Sequence, residues 1–175
     1  EPDEAADLLA ELPQERSRRL VSLMEKDEAD DVRRLLTYPE DSAGGIMTTD
    51  FAVVPLDVTA ESAIKILRET AREIETFTYV YVTDIDNHLV GVFSLTDLIF
   101  AEPSTLVMDF MDDRVKTVSP LDEQDEVAQV ITKYDLLAVP VVDDQNIIQG
   151  IVTADDALDK IIPTAWKKRL PRFYH

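Results

Sequence analysis

The sequence contains no cysteine and has little glycine and histidine, with 4 Gly and 2 His among 175 residues. Without cysteine, neither a disulfide nor a thiolate metal site can form. With only His88 and His175 as imidazole ligands, a zinc site is not expected. The chain also lacks an apolar run of about 18 residues, the length that a membrane-spanning helix needs. These absences exclude disulfide-stabilised and zinc-dependent classes of protein.

Positive charge is also scarce. The sequence has 17 Lys and Arg against 36 Asp and Glu, which gives a formal net charge of -19. The last nine residues, 167–175, contain four basic residues and no acid, so the rest of the chain is more acidic still. Such a body repels a phosphate backbone, since nucleic-acid binding requires clustered Lys and Arg. We therefore exclude nucleic acid as a main partner and expect a cation to be the natural ligand.

Signals for catalysis are missing as well. The chain has no cysteine nucleophile, no serine with a plausible histidine partner, and no Gly-x-Gly-x-x-Gly or Walker loop. His88 falls in a predicted hairpin turn, where a solvated role is expected. The sequence therefore predicts a protein that is not an enzyme.

The first part of the chain has the apolar spacing of short helices. Leucine-rich stripes recur through residues 3–38, and Pro13 interrupts them. Pro39 then ends the helical segment, and Gly44 and Gly45 predict a backbone turn. Because the chain begins at Glu1-Pro2 rather than at Met, we expect it to be part of a longer protein.

From Ile46 onward one pattern occurs twice, in the order strand, helix, strand, strand, helix. The predicted helices cover 60–73 and 123–133, and the predicted strands cover 53–54, 79–82, 89–93, 115–118, 139–142 and 147–152. Gly91 to Asp97 aligns with Gly150 to Asp156 at a constant offset of 59 residues. The repeat predicts an α+β fold in which two units pack around a pseudo-twofold axis, because one unit alone cannot bury both faces of its sheet.

A unit ending in Gly-h-h-(Ser/Thr)-x-x-Asp, where h is apolar, resembles the CBS domain, and two in tandem resemble a Bateman module. The segment Tyr38-Pro39-Glu40-Asp41-Ser42-Ala43-Gly44-Gly45-Ile46-Met47-Thr48 is similar to the junction between the N domain and the CBS pair of MgtE magnesium transporters. This resemblance implies a helical N-domain remnant with linker at 1–45, a first CBS domain at 46–105 and a second at 106–162. A basic aromatic tail follows at 163–175.

The resemblance implies a homodimeric magnesium sensor on the cytoplasmic side of the cell membrane, attached to a transmembrane domain. In that family, ions bound by interfacial carboxylates hold the domains together and keep the pore shut. Asp156 matches an interfacial ligand, with Asp159 on the same helical face, while Asp125 and Asp135 match a second site. Asp125 stands where the family has Glu. Opposing carboxylates are expected from the N domain, among them Asp3, Glu4 and Asp7, whose pattern is too generic to single out one ligand.

The same resemblance implies a second ligand, an adenine nucleotide such as ATP or AMP. In nucleotide-binding CBS domains, the hydroxyl and the Asp of the repeated signature contact phosphate and ribose. These positions are Ser94 with Asp97, and Thr153 with Asp156, and Tyr79 is placed to stack on adenine in the first pocket. Neither predicted pocket contains an Arg or Lys placed to bind phosphate. The alternative for both hydroxyls is helix N-capping, which needs no ligand.

Two other functions stay open from the sequence. One is an adenine-nucleotide-responsive CBS protein, soluble or fused to a different transporter, which needs no magnesium. The other is a dimerisation module that binds neither ligand. Pro163 and Pro171 interrupt the acidic helix that a MgtE transporter has after its CBS pair. The basic tail that contains them is expected to contact a membrane surface, to bind the acidic body or to lead into a different membrane domain.

Overall fold

The computed structural model describes residues 2–70 and 78–161, with the side chains of 159–161 outside the description. Three helices form the N-terminal part: α1 Pro2–Ala10, α2 Gln14–Val21 and α3 Lys26–Leu35. A four-residue helix, α4 Ala43–Ile46, follows, and the Ser42 side chain caps it by accepting a hydrogen bond from the Gly45 amide. In the described ranges no helix is long and apolar enough to cross a membrane.

The first repeat is built on a three-stranded sheet of order β1-β2-β3, formed by β1 Ala52–Pro55, β2 Tyr79–Thr83 and β3 Leu89–Ser94. β1 runs parallel to β2, and β2 pairs antiparallel with β3. Helix α5 Ala60–Thr70 follows β1, and α6 Leu95–Phe100 follows β3. The order matches the predicted repeat, but the second part of the helix predicted over 60–73 lies outside the described residues.

The second repeat has an antiparallel pair, β4 Ala138–Val142 with β5 Ile148–Thr153, and the helices α7 Gln124–Tyr134 and α8 Ala154–Ile161. The strand predicted at 115–118 is wrong, because in this segment only Val118 forms a bridge, parallel to Val141. The segment instead leaves the first sheet after one bridge between Val92 and Asp112.

The core joins the N-terminal helices to the second repeat. Ala6, Leu9 and Leu35 pack in one apolar cluster with Val139 of β4 and Ala157 of α8. The first repeat has a separate cluster, and a third cluster lies between the two repeats. The N-terminal helices are therefore fixed on the second repeat rather than on the first.

Arg34 strengthens this contact with a polar link. Its guanidinium donates to the Gln149 carbonyl at 3.0 Å, across the boundary between α3 and β5. Because the arginine stem also covers apolar surface, this link orients α3 on the second repeat.

The glycines near the junction serve close packing rather than the predicted turn. No glycine in the described ranges has a positive φ. A Cβ at Gly44 would meet the Tyr38 ring, and one at Gly45 would meet the backbone around Pro39. The prediction of a turn that exploits glycine's conformational freedom is therefore wrong; the segment is helical and needs small residues.

Gly91 and Gly150 occupy equivalent positions but differ in what faces them, which predicts unequal costs of substitution. A Cβ at Gly150 would lie 2.6 Å from the Thr48 carbonyl oxygen, a backbone atom, whereas one at Gly91 would meet only side-chain atoms of Met111. Since overpacking against backbone cannot relax by a rotamer change, we expect Gly150→Ala to lower the free energy of unfolding by about 1–3 kcal/mol. Gly91→Ala should cost clearly less. Urea denaturation of both variants checks this order, and equal losses would contradict it.

Candidate functional site

The first candidate site is a cleft of about 270 Å³ between the two repeats. Its apolar wall combines Val92 of β3 with Ala138 and Pro140 of β4. The polar and charged residues that line it are Tyr79, Tyr81, Ser94, Asp97, Asp112, Arg114 and Lys116. The predicted nucleotide residues Tyr79, Ser94 and Asp97 thus lie in one cleft.

Ser94 and Asp97 are held by a capping box at the start of α6. The Asp97 carboxylate accepts hydrogen bonds from the Ser94 hydroxyl at 2.7 Å and the Ser94 amide at 2.8 Å. In return, the Asp97 amide donates to the Ser94 hydroxyl at 3.2 Å. The box fixes one carboxylate oxygen, Oδ2, and leaves the other with neither of these bonds. The N-capping alternative and the binding role are therefore compatible at this position.

The prediction that no Arg or Lys stands in the pockets is wrong for the first cleft. Arg114 and Lys116 line it, and the Asp112 carboxylate orients Arg114 by accepting from its backbone amide at 2.9 Å and its guanidinium at 3.2 Å. Arg114 also holds the pKa of Asp112 below its ordinary value. Lys116 lies with its Nζ 5.0 Å from the centre of the Tyr134 ring. Two cations at one end of a cleft fit an anionic group such as phosphate.

The second repeat places Thr153 and Asp156 at the equivalent positions. The Thr153 hydroxyl donates to the Asp156 carboxylate, and the Asp156 amide donates back to this hydroxyl at 3.4 Å, so Thr153 caps the start of α8. Thr153 is buried. The side chain of Asp159 lies outside the described residues.

Backbone pairing shows which residues of the second repeat correspond to the cations of the first. Asp112 pairs with Val92 through two hydrogen bonds, and Thr48 pairs in the same way with Ile151, the residue 59 positions after Val92. Two residues further on, Arg114 therefore corresponds to Asp50. In both places the earlier side chain accepts from the later amide, at 2.9 Å for Asp112 and 3.3 Å for Thr48. The charge at this position is thus inverted between the two repeats.

The N-terminal helices also contribute a carboxylate near Thr48 and Asp50. Asp3 of α1 is only 8% exposed and is hydrogen-bonded to Thr48. Burial raises the pKa of Asp3 above its ordinary value of 3.8. Its Oδ1 atom is buried and has no hydrogen-bond partner among the described residues, and the same holds for the neighbouring Thr49 hydroxyl. We use the name acidic junction for Asp3, Thr48 and Thr49 together with Asp50 and Asp156, which occupy the positions equivalent to Arg114 and Asp97 of the first cleft.

Donor chemistry at the acidic junction fits a hard cation. The available ligands are carboxylate and hydroxyl oxygens. Magnesium prefers such oxygen ligands, whereas zinc is usually bound by imidazole or thiolate. A buried carboxylate oxygen without a partner is costly, and a cation satisfies it. Of the three N-domain acids that the sequence leaves open, Asp3, Glu4 and Asp7, only Asp3 is buried, and burial is a signal that the sequence does not carry.

Asp125 and Asp135 do not meet within one chain. Asp125 is exposed in the first turn of α7, and Asp135 is the exposed residue that ends this helix in a left-handed conformation, with φ of 53°. Ten residues of helix separate them by about 15 Å, at about 1.5 Å per residue. The single second site predicted from this pair is not formed inside the chain, so each residue remains a predicted ligand on its own. Asp125 lines a shallow depression with Gln129 and Lys133.

Another group with metal-ligand chemistry occupies the β2–β3 hairpin. Ligand atoms of Asp84, Asp86 and His88 lie within 4.8 Å of one another. The Asp84 carboxylate already accepts from the Asp86 and His88 amides and bonds to His88 Nδ1, each at 2.9 Å, and this contact raises the pKa of His88. Asp143 makes the same turn in the second hairpin without a histidine. Asp84 therefore has a structural role.

Comparison with known proteins agrees with this geometry. The CBS domain family matches residues 43–104 and 107–163, and the MgtE intracellular N domain matches residues 1–41. The magnesium transporter MgtE of Enterococcus faecalis is 47% identical over 135 residues, which cover 77% of this chain and 30% of the relative. Its counterpart in Bacillus subtilis is 42% identical over 163 residues, covering 93% and 36%. The chain thus spans about a third of the length of these relatives.

Two solved structures are similar over 91% of the chain. The soluble part of a magnesium transporter superposes with a TM-score of 0.88 at 44% identity, and 62% of that chain is covered. The cytosolic domain of the Mg²⁺ channel MgtE in complex with ATP superposes with a TM-score of 0.87 at 38% identity, and 65% is covered. Both structures are parts of magnesium transporters, which confirms the predicted fold and agrees with the prediction of a chain that is not an enzyme.

Proposed function

The chain belongs to the CBS domain family and has the N-domain and CBS order of MgtE magnesium transporters, and on this premise we propose that it is the magnesium-sensing region that gates such a transporter. The observation that carries the proposal is the buried Asp3 oxygen without a partner at the acidic junction. Asp3 comes from the N-terminal helices, whereas Asp50 and Asp156 belong to the CBS pair. A cation bound here joins the two parts.

The proposed mechanism follows from electrostatics. When bound, magnesium supplies positive charge and oxygen coordination between the carboxylates. Without it, Asp3 keeps an unpartnered oxygen beside like charges, which weakens the contact of α1 with the second repeat. The N-terminal helices then release from the CBS pair, so ion concentration shifts the population between closed and open arrangements. Asp159, Asp125 and Asp135 remain proposed further ligands.

We propose that the first cleft binds an adenine nucleotide. Arg114 and Lys116 suit the phosphates, and Asp97 suits the ribose hydroxyls, since its carboxylate is fixed by Ser94. The ATP complex of a similar domain supports this assignment. We do not propose Thr153 as a phosphate contact. The position equivalent to Arg114 on its side of the molecule is occupied by Asp50, which repels phosphate.

The proposed assembly is a homodimer through the CBS helices, connected to a transmembrane domain of the parent chain on the cytoplasmic side of the membrane. Apolar side chains exposed on α6 support it, since Ile99 is 77% and Phe100 83% exposed. The relatives, of which this chain covers about a third, are named as transporters.

Calorimetric titration with magnesium, in the wild-type chain and in Asp156→Ala, tests the proposal. We expect wild-type binding and at least a tenfold loss of affinity in the variant, because one carboxylate of the junction is removed. Asp155→Ala is the matched control, since it removes an exposed acid one residue away on the same helix. Magnesium binding that is equal in all three proteins would place the ion elsewhere, and nucleotide binding without magnesium binding would favour an energy-sensing CBS protein.

A further inference from the structure

The hydroxyl of Tyr81 is a buried polar group without a hydrogen bond. The side chain is 1% exposed, and its oxygen has no partner among the described residues. The ring is fixed in β2, between Val53 of β1 and Val92 of β3, and Phe51 packs edge-on against it with ring centres 6.2 Å apart. Buried hydroxyls in native proteins nearly always have a partner, so this one calls for an explanation.

Tyr81 lies at the first cleft, where a partner can come from a ligand. It lines the cleft with Tyr79, two residues earlier on the same face of β2. Burial and the neighbouring Tyr79 raise the pKa of Tyr81, so the hydroxyl stays protonated and able to donate. Ala138 and Pro140 face it from the second repeat without a polar side chain.

Each charged residue of the cleft can be assigned to one part of the proposed nucleotide. Arg114 and Lys116 account for the phosphates, and Asp97 accounts for the ribose hydroxyls. Ser94 and Asp112 are already bonded to Asp97 and Arg114, and the rest of the wall is apolar apart from the two tyrosines, which is the environment of a base rather than of a phosphate. Base nitrogens are hydrogen-bond acceptors, and they match a donor at this position.

We propose that Tyr81 is a specificity-determining residue whose hydroxyl donates a hydrogen bond to an acceptor on the base of the bound nucleotide. The inference rests on the proposed nucleotide function of the first cleft. A site built to donate to the ligand discriminates against ligands that lack the acceptor, because the buried donor is then left unpaired.

Tyr81→Phe removes this hydroxyl and nothing else, and calorimetry with ATP and AMP in magnesium-free buffer measures the effect. We expect the affinity for ATP to fall about tenfold, the size of one well-placed hydrogen bond, and the affinity for AMP to fall by the same factor. The melting temperature of the ligand-free variant should equal or exceed that of the wild type, since an unpartnered hydroxyl is lost. Tyr38→Phe, at a half-buried tyrosine that packs on the N-terminal apolar cluster and does not line the cleft, is the control and should change neither quantity.

Unchanged ATP affinity in Tyr81→Phe would overturn the inference while wild-type binding upheld the proposed function. A loss for ATP alone would place the contact at the phosphates and would also overturn it. A drop in the melting temperature of the ligand-free variant would show that the hydroxyl has a structural partner, against the inference. If the wild type bound neither nucleotide, the function of the cleft itself would be refuted.

Discussion

Asp3→Asn is expected to abolish most of the thermal stabilisation that magnesium confers on this chain. At a magnesium concentration of about 100 times the dissociation constant, binding to the folded state alone contributes about 2.7 kcal/mol. For a chain of this size that corresponds to a rise in melting temperature of about 5–10 °C. The variant keeps the shape of the side chain but loses the charge that attracts the ion, so its melting temperature should barely respond.

Without magnesium the same substitution should act in the opposite direction. Burial raises the pKa of Asp3, which means that the folded state holds the proton more tightly than the unfolded state. The stability from this group is fully present below its ordinary pKa of 3.8 and is lost as the pH rises through the raised value. Asp3→Asn cannot ionise and does not undergo this loss, so at pH 7 the variant should be at least as stable as the wild type.

Differential scanning fluorimetry at pH 7, with and without magnesium, measures both effects. Glu11→Gln is the matched control, because it neutralises an exposed acid just after α1 and should leave the magnesium response intact. If Asp3→Asn retained the full magnesium shift, Asp3 would not be a ligand, and the acidic junction would lose its link to the N-terminal helices.

The repeat is the part of this molecule that sequence patterns predicted best. The constant offset between Gly91 and Gly150 correctly paired Ser94 with Thr153, because each hydroxyl starts a helix directly after a strand. Such local capping patterns leave a clear spacing in the sequence. The strand predicted at 115–118 failed because an apolar alternation says nothing about whether a partner strand is available.

The charges of the two sites could not be predicted in the same way. Asp50 lies in the first repeat of the sequence and Arg114 in the second, but Thr48 and Asp112, two residues before them, each form a bridge with the sheet of the other repeat. This exchange is visible only through long-range pairing of Val92 and Ile151 with segments distant in sequence. Asp3 was one acid among 36, and only its burial separates it from the solvated ones.

The inverted charge leads to the second large effect, which concerns the first cleft. Replacing both cations, in Arg114→Glu/Lys116→Glu, should lower the affinity for ATP at least a hundredfold, since each charge-assisted contact to phosphate is worth more than about 1.4 kcal/mol, or a factor of ten. The affinity for AMP, with fewer phosphate charges, should fall less. Fluorescence or calorimetric titration in magnesium-free buffer gives both ratios.

The control for this variant must change the net charge equally, because an already acidic protein repels ATP at long range. Arg33→Glu/Lys65→Glu meets this requirement, since both side chains are exposed and, within the described part of the chain, form ion pairs with neighbours on their own helices. If the control weakened ATP binding as much as the cleft variant, the effect would be general repulsion. A selective loss would instead mean that Arg114 and Lys116 hold the anion of the nucleotide in the first cleft, at the position where the second repeat has Asp50.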